Sequence, residues 1–115
     1  MGLIYHIAFP ADWAAAQRDG EYLTSSRGLT LAQEGFIHAS TAGQLAAVAN
    51  AFYADVDDLL VLVIDEALLG PEVRYEPVPG MAAPFPHVYG PLNVDAVVEV
   101  RPLTRDADGR FVFTG

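Results

Sequence analysis

The six residues Leu59-Leu60-Val61-Leu62-Val63-Ile64 carry no polar side chain. Side chains alternate between the two faces of a strand, so a run apolar at every position needs both faces buried. It is far too short to cross a bilayer. It therefore reads as the central strand of a sheet, and the rest of the chain must supply a layer on each side. The material is there: hydrophobic residues fill 52% of the 115 positions and charged residues 18%. That is too apolar for disorder and long enough for a single domain over 1–115.

The flanking segments supply those layers. Leu3 to Phe9 reads as a strand with Leu3, Tyr5, Ile7 and Phe9 on one face and His6 on the other, between Ile4 and Ala8. His6 is then expected to be exposed or to line a cleft. Pro10 suits the first turn of a helix over Ala11 to Arg18, and Gly20 suits its stop. Glu21 to Arg27 is extended or irregular, with turn chemistry at Ser25-Ser26-Arg27-Gly28. Leu29 to Glu34 reads as a short helix closed by Gly35, and Phe36 to Ser40 as a short strand with Phe36, His38 and Ser40 on one face. Thr41-Ala42-Gly43-Gln44 is a capping box. The helix behind it repeats Leu45, Val48, Ala49 and Phe52 at helical spacing and ends near Asp55. Glu72 to Val78 alternates, with Val73 and Tyr75 toward the core and Arg74 and Glu76 on the opposite side. Pro79 to Pro91, with four prolines, reads as a long loop. Val94 to Leu103 and Arg110 to Phe113 read as closing strands joined at Asp108-Gly109. Few helices and several strands without regular alternation indicate an α+β fold.

Charge and composition exclude several functions. The formal net charge is -9, with no basic stripe, so the chain lacks the electrostatic footprint of a nucleic-acid binder and repels anionic lipid surfaces. With no cysteine there is no disulfide framework and no thiol nucleophile. No membrane partner and no signal peptide is expected, and a cytoplasmic location is the default. Lysine is absent, so there is no phosphate-binding glycine loop with its lysine. Neither a His-Glu-x-x-His zinc motif nor a Gly-x-Ser-x-Gly elbow occurs.

Four segments carry the remaining chemistry. His38, Ser40 and Thr41 stand just before a helix start, where free amides attract a phosphate or carboxylate; alternatively Thr41 only caps the helix. His6 is a ligand contact or a satisfied strand histidine. Arg74 and Glu76 project side by side, either as a surface ion pair or as a carboxylate kept ionised by the arginine. His87, Tyr89 and Asn93 lie in the proline-stiffened stretch from Pro84 to Asn93, which suits a pocket wall or an ordinary turn.

Together, Ile4-Tyr5-His6-Ile7, Trp13, Glu34 to Thr41, Val48 to Tyr53, Val73-Arg74-Tyr75-Glu76 and Phe85 to Asn93 resemble the bacterial and plant family of domains of unknown function numbered 952. The likeness runs from about Leu3 to Leu103. The departure is Ala39, where the family pattern has a cysteine. The resemblance implies a fold similar to ADP-ribosyltransferases: two small, mostly antiparallel sheets with flanking helices around a cleft that holds NAD. On that likeness His6 corresponds to the position that anchors NAD, Phe36, His38 and Ser40 to the middle strand, and Glu76 to the catalytic glutamate. His38 and Glu76 are then the catalytic candidates. Phe36, Ser40, Thr41, Arg74, His87, Tyr89 and Asn93 join His6 as ligand contacts. NAD enters as a substrate, with no resident cofactor or metal implied. Two other readings stay open: a non-catalytic module for a ligand or a protein, and a metal-dependent enzyme using the three histidines and Glu76.

Overall fold

The computed structural model describes residues 2–115; Met1 lies outside them. The apolar run is the core of β6 (Leu60–Asp65), the middle strand of a three-stranded antiparallel sheet. β1 (Leu3–Ala8) lies on one side and β10 (Val97–Pro102) on the other. Both faces of β6 are covered, as its composition demands. Leu62 and Ile64 pack into one core cluster, together with Ile4 and Ala8 of β1. Val61 and Val63 pack into the other, with Tyr5 and Ile7.

Helix α1 (Pro10–Asp19) covers the first face through Trp13 and Ala16. Pro10 sits at its start, where a missing amide costs nothing, and Gly20 ends it in the left-handed conformation at φ 83°. Helix α3 (Ala42–Phe52) covers the second face through Leu45 and Ala49. The cap at Thr41 is present: Gln44 Oε1 accepts from the Thr41 amide at 3.0 Å, and the Gln44 amide donates to the Thr41 carbonyl at 3.1 Å.

Between the two helices the chain runs through β2 (Glu21–Tyr22), β3 (Thr24–Ser26) and β4 (Leu29–Thr30), then α2 (Leu31–Glu34) and β5 (Ile37–His38). Leu29 and Thr30 are thus strand rather than helix. Thr30 caps α2 with Gln33 as the reciprocal partner, a second capping box.

The second three-stranded sheet has the order β5-β8-β7, all antiparallel, with β7 spanning Glu72–Glu76 and β8 spanning Phe85–Tyr89. Its Ile37 and Val88 pack into the core beside Leu62 and Ile64, so the two sheets share one apolar layer. Two expectations are overturned. Phe85 to Tyr89 is the central strand of this sheet, not part of a loop; only 77–84 remains irregular. Tyr75 is 49% exposed rather than in the core, and its hydroxyl bonds to Glu66.

The chain closes with β9 (Leu92–Asn93) paired to β2, and with a hairpin of β11 (Thr104–Arg105) and β12 (Phe111–Val112). The architecture is α+β, with small antiparallel sheets and few helices. Among the described residues no helix is long and apolar enough to cross a membrane.

Candidate functional site

Pro86 determines where the site forms. β5 pairs with β8 at Ile37–Val88 and His38–His87. The next pair would be Ala39 with Pro86. The Ala39 amide donates to the Pro86 carbonyl at 3.0 Å, but proline has no N–H to return the bond. Pairing stops there, and the chain crosses to the other sheet. Ser40 exchanges both backbone bonds with Tyr5 of β1, at 2.7 and 2.8 Å. The two sheets are thus pinned together at one corner.

A cavity of about 480 Å³ opens beside that corner. Tyr5, His6 and Ile7 of β1 line it, with Val48 and Phe52 of α3 and the adjoining Tyr53. Ser25, Ser26, Arg27 and Leu29 form another wall. Glu34, His38, Ala39, Ser40 and Phe85 face them, and Val78, Pro79 and Met81 close the rim. The volume falls within the roughly 300–1,000 Å³ of ordinary ligand pockets, and the walls are mainly apolar with a few polar groups, as such pockets are.

The three histidines gather around this corner but do different work. His6 is 3% exposed. Its Nδ1 lies 2.5 Å from the His38 carbonyl, which only accepts, so Nδ1 carries the proton and donates. Nε2 then accepts from the Tyr22 hydroxyl at 2.8 Å. Burial lowers the His6 pKa from 6.5 to about 4 and pushes Tyr22 upward. His6 is therefore a neutral clamp with both nitrogens occupied: it is not exposed, and it lines the cavity as a satisfied strand histidine with neither ring nitrogen free.

His38 stands on the cavity wall with 37% of its side chain exposed. Its Nε2 lies 3.2 Å from Glu34 Oε1, four residues earlier across the Gly35 turn. Burial lowers the His38 pKa, outweighing the opposing pull of Glu34, and His87 adds to the lowering. His38 is thus neutral near pH 7, with its proton on Nε2 toward the carboxylate and a lone pair on Nδ1.

His87 stands next to it, ring centroids 5.0 Å apart and planes perpendicular. Phe36 stacks on His87 at 4.1 Å and meets His38 edge-on at 4.8 Å. His87 Nδ1 bonds Glu76 Oε1 at 2.8 Å, and the Tyr89 hydroxyl donates to the same oxygen at 2.5 Å. The Tyr89 and His87 bonds hold the Glu76 pKa down, with Arg74 the smallest contributor. The His87 Nε2 is buried and has no hydrogen-bond partner among the described residues.

These positions sort the candidates. Phe36, His38, Arg74, Glu76, His87 and Tyr89 share one face of the second sheet, on the evidence of the register and ring contacts. Only His38 of these lines the cavity, with Ser40 and His6 from the corner. Arg74 pairs with Glu72 at 3.2 Å and lies 4.4 Å over the Tyr89 ring; it makes no direct bond to Glu76. Thr41 is used in the helix cap and is absent from the cavity wall. Asn93 lies elsewhere: its side chain accepts from Gly70 at 2.8 Å and donates to the Leu68 carbonyl at 2.9 Å and to Asp95 at 2.6 Å, latching the turn before β7. Among the described residues no group of three or more His, Cys, Asp or Glu is placed to hold a metal ion. His6 is committed to Tyr22 and a carbonyl, while Glu34 and Glu76 each hold a different imidazole.

Sequence reasoning missed four participants. Glu34 is signalled by its spacing of four from His38. Tyr22 and Tyr53 carry no local signal, since only the fold brings them to His6 and to the Arg27 amide. Ser25 is fully buried and donates to the Phe36 carbonyl at 2.5 Å, holding the Phe36–His38 segment against β3.

Fold and site together define a small α+β fold whose antiparallel sheets share a core and carry a cavity lined in part by His6 and His38. The chain belongs to the DUF952 family, proteins of unknown function, whose model matches residues 7–100. It is similar to the crystal structure of protein CC0527 from Caulobacter crescentus, with 34% identity over 96% of this chain and 93% of that one, and a TM-score of 0.81. A double mutant of CC0527 gives the same TM-score at 33% identity. The solution structure of CC0527 gives 0.77 at 34% identity, over 96% of this chain and 91% of that one. Among curated proteins there is no match to this chain.

Proposed function

We propose that the cavity beside the Tyr5–Ser40 corner binds a nucleotide of the NAD type through its nicotinamide-bearing end, and that the fold is a compact relative of the ADP-ribosyltransferases. The observation that carries this reading is the cavity itself: about 480 Å³, walled by Ile7, Val48, Tyr53 and Phe85, with His38 held at its edge by Glu34. Apolar walls accept a flat ring, and the few polar groups orient it. His38 Nδ1 offers an acceptor for a carboxamide or ribose hydroxyl. The one cation on the wall, Arg27, is held by Asp55 in a two-point bond at 2.6 and 2.7 Å, so the diphosphate belongs outside, toward solvent.

The same geometry favours binding over transfer. Glu76, the counterpart of a transferase glutamate, stands on His87 and Tyr89 and is not among the residues that line the cavity. A carboxylate must reach the ribose to support its developing positive charge.

Calorimetric titration of the whole chain with NAD and with ADP-ribose tests the reading. Saturable NAD binding is expected, weakened at least tenfold in His38→Ala, with ADP-ribose binding more weakly because it lacks the ring. No heat from either ligand at millimolar concentration, or equal affinity for both, overturns it.

A further inference from the structure

The charges around the cavity do not balance, and the imbalance has a definite sign. The titratable groups on its walls are Tyr5, His6, Arg27, Glu34, His38 and Tyr53. Burial keeps both imidazoles neutral near pH 7 and raises the Tyr53 hydroxyl above its ordinary range. Arg27 is matched by Asp55. The rim residues Val78, Pro79 and Met81 carry no charge, and neither does any other residue of the 77–84 segment. What remains is the Glu34 carboxylate. It receives a hydrogen bond from a neutral imidazole, and among the described residues no arginine pairs with it.

Glu34 shares the cavity with aromatic side chains. Phe52, Tyr53 and Phe85 contribute to the same cavity, and ring faces attract positive charge. The chain as a whole carries a formal charge of -9, which draws cations toward its surface. Apolar walls favour a flat, weakly hydrated ion over a compact, strongly hydrated one.

We propose that this cavity selects a flat organic monocation of the N-alkylated heteroaromatic class, and that Glu34 is the residue that sets this choice. The proposal rests on the cavity's being a ligand site, as in the reading above, and adds the charge of the group that enters it. It makes Glu34 a specificity residue, with His38 holding its carboxylate toward the cavity.

The test uses three probes of nearly equal shape on the intact chain, followed by titration calorimetry or ligand-observed NMR: 1-methylnicotinamide, which is a cation; nicotinamide, which is neutral; and nicotinate, an anion. The cation should bind about tenfold tighter than the neutral amide, with nicotinate weakest. Glu34→Gln keeps the side chain's length and its bond to His38. It should remove the tenfold preference of the cation over the amide. Half-molar salt should shrink the preference, because Glu34 is 31% exposed.

Equal affinity for the cation and the amide, or a preference that survives in Glu34→Gln, overturns the proposal. The two readings fail separately. If NAD binds and the probes show no charge ranking, charge selection falls and the nucleotide reading stands. If the cation binds through Glu34 and NAD does not, the reverse holds. If NAD binds and no probe does, charge selection falls and the nucleotide reading stands; if neither NAD nor any probe binds at millimolar concentration, both fall.

Discussion

His6 and His87 are both nearly inaccessible, at 3% and 4% exposure, and both sit in central regions of the fold. Their surroundings are opposite. His6, in the sheet of β1, β6 and β10, has a hydrogen-bond partner on each nitrogen and touches no carboxylate. His87, in the sheet of β5, β8 and β7, leans on Glu76 through one nitrogen and leaves the other bare. A buried polar group stabilises a fold only when it is fully bonded. His6 therefore belongs to the architecture: it ties β1 to the His38 carbonyl and to Tyr22, across the seam between the sheets. His87, like its neighbour His38 with Glu34, belongs to a polar face organised around carboxylates, on the side of the sheet turned away from the shared core.

The contrast breaks most visibly at His6. Replacing it with Phe keeps an aromatic ring against Tyr22 but strands a buried hydroxyl and a buried carbonyl. Each such group costs roughly 1–3 kcal/mol, so His6→Phe should lose about 3 kcal/mol or more of stability in urea denaturation. His38→Ala, at a partly exposed site, should lose about 1 kcal/mol or less. Equal losses at the two positions would erase the distinction between clamp and cavity wall.

Acid should act through the same clamp. The folded His6 pKa of about 4 lies below its ordinary 6.5. Between those values the unfolded chain binds the proton and the folded chain does not. Stability is therefore whole above about pH 6.5, falls as pH drops toward 4, and stops falling on this account below it. The full difference amounts to about 3 kcal/mol, at roughly 1.4 kcal/mol per pKa unit. The lowered His38 pKa adds to the loss in the same direction. Urea midpoints measured from pH 7.5 to 4.5 check this: His6→Phe should show a clearly shallower acid slope than the parent chain, and an unchanged slope would refute the assignment.

Several of these distinctions were legible in the sequence and others were not, for identifiable reasons. The all-apolar run placed β6 at the centre of a sheet because no other environment suits it. Pro10, Gly20, Gly35 and the Thr41–Gln44 box marked helix ends, since those features act through local backbone chemistry. Phe85 to Tyr89 was misread because prolines 84, 86 and 91 argue against a central strand. The fold tolerates Pro86 by ending β5 at the position where proline cannot donate, and that interruption is what turns the chain toward β1 and opens the cavity. The sequence singles out the three histidines, and the fold brings them to one corner, but their bonding could not be read. Whether a ring nitrogen meets Tyr22, Glu34, Glu76 or nothing depends on residues brought from 4 to 16 positions away by the fold. Asn93 was drawn in by its neighbours in a motif-like segment, although its side chain secures a turn instead.

The smallest expected effect is the sharpest check on the comparison. His87→Phe is the same substitution as His6→Phe, at a site of the same burial, yet it should change stability by no more than about 1 kcal/mol. It removes a buried nitrogen that has no partner, which recovers a desolvation cost. The new ring keeps the stacking against Phe36, now 4.1 Å from the imidazole at an angle of 19°. Glu76 loses one bond but keeps Tyr89 and, being about one-third exposed, gains water. Two opposing terms of similar size leave little net change. A loss matching that of His6→Phe would mean that Nε2 is bonded in solution, by a water held between His87 and His38. The two histidines would then be equivalent structural clamps, and the division between a bonded sheet and a carboxylate-led face would have to be abandoned.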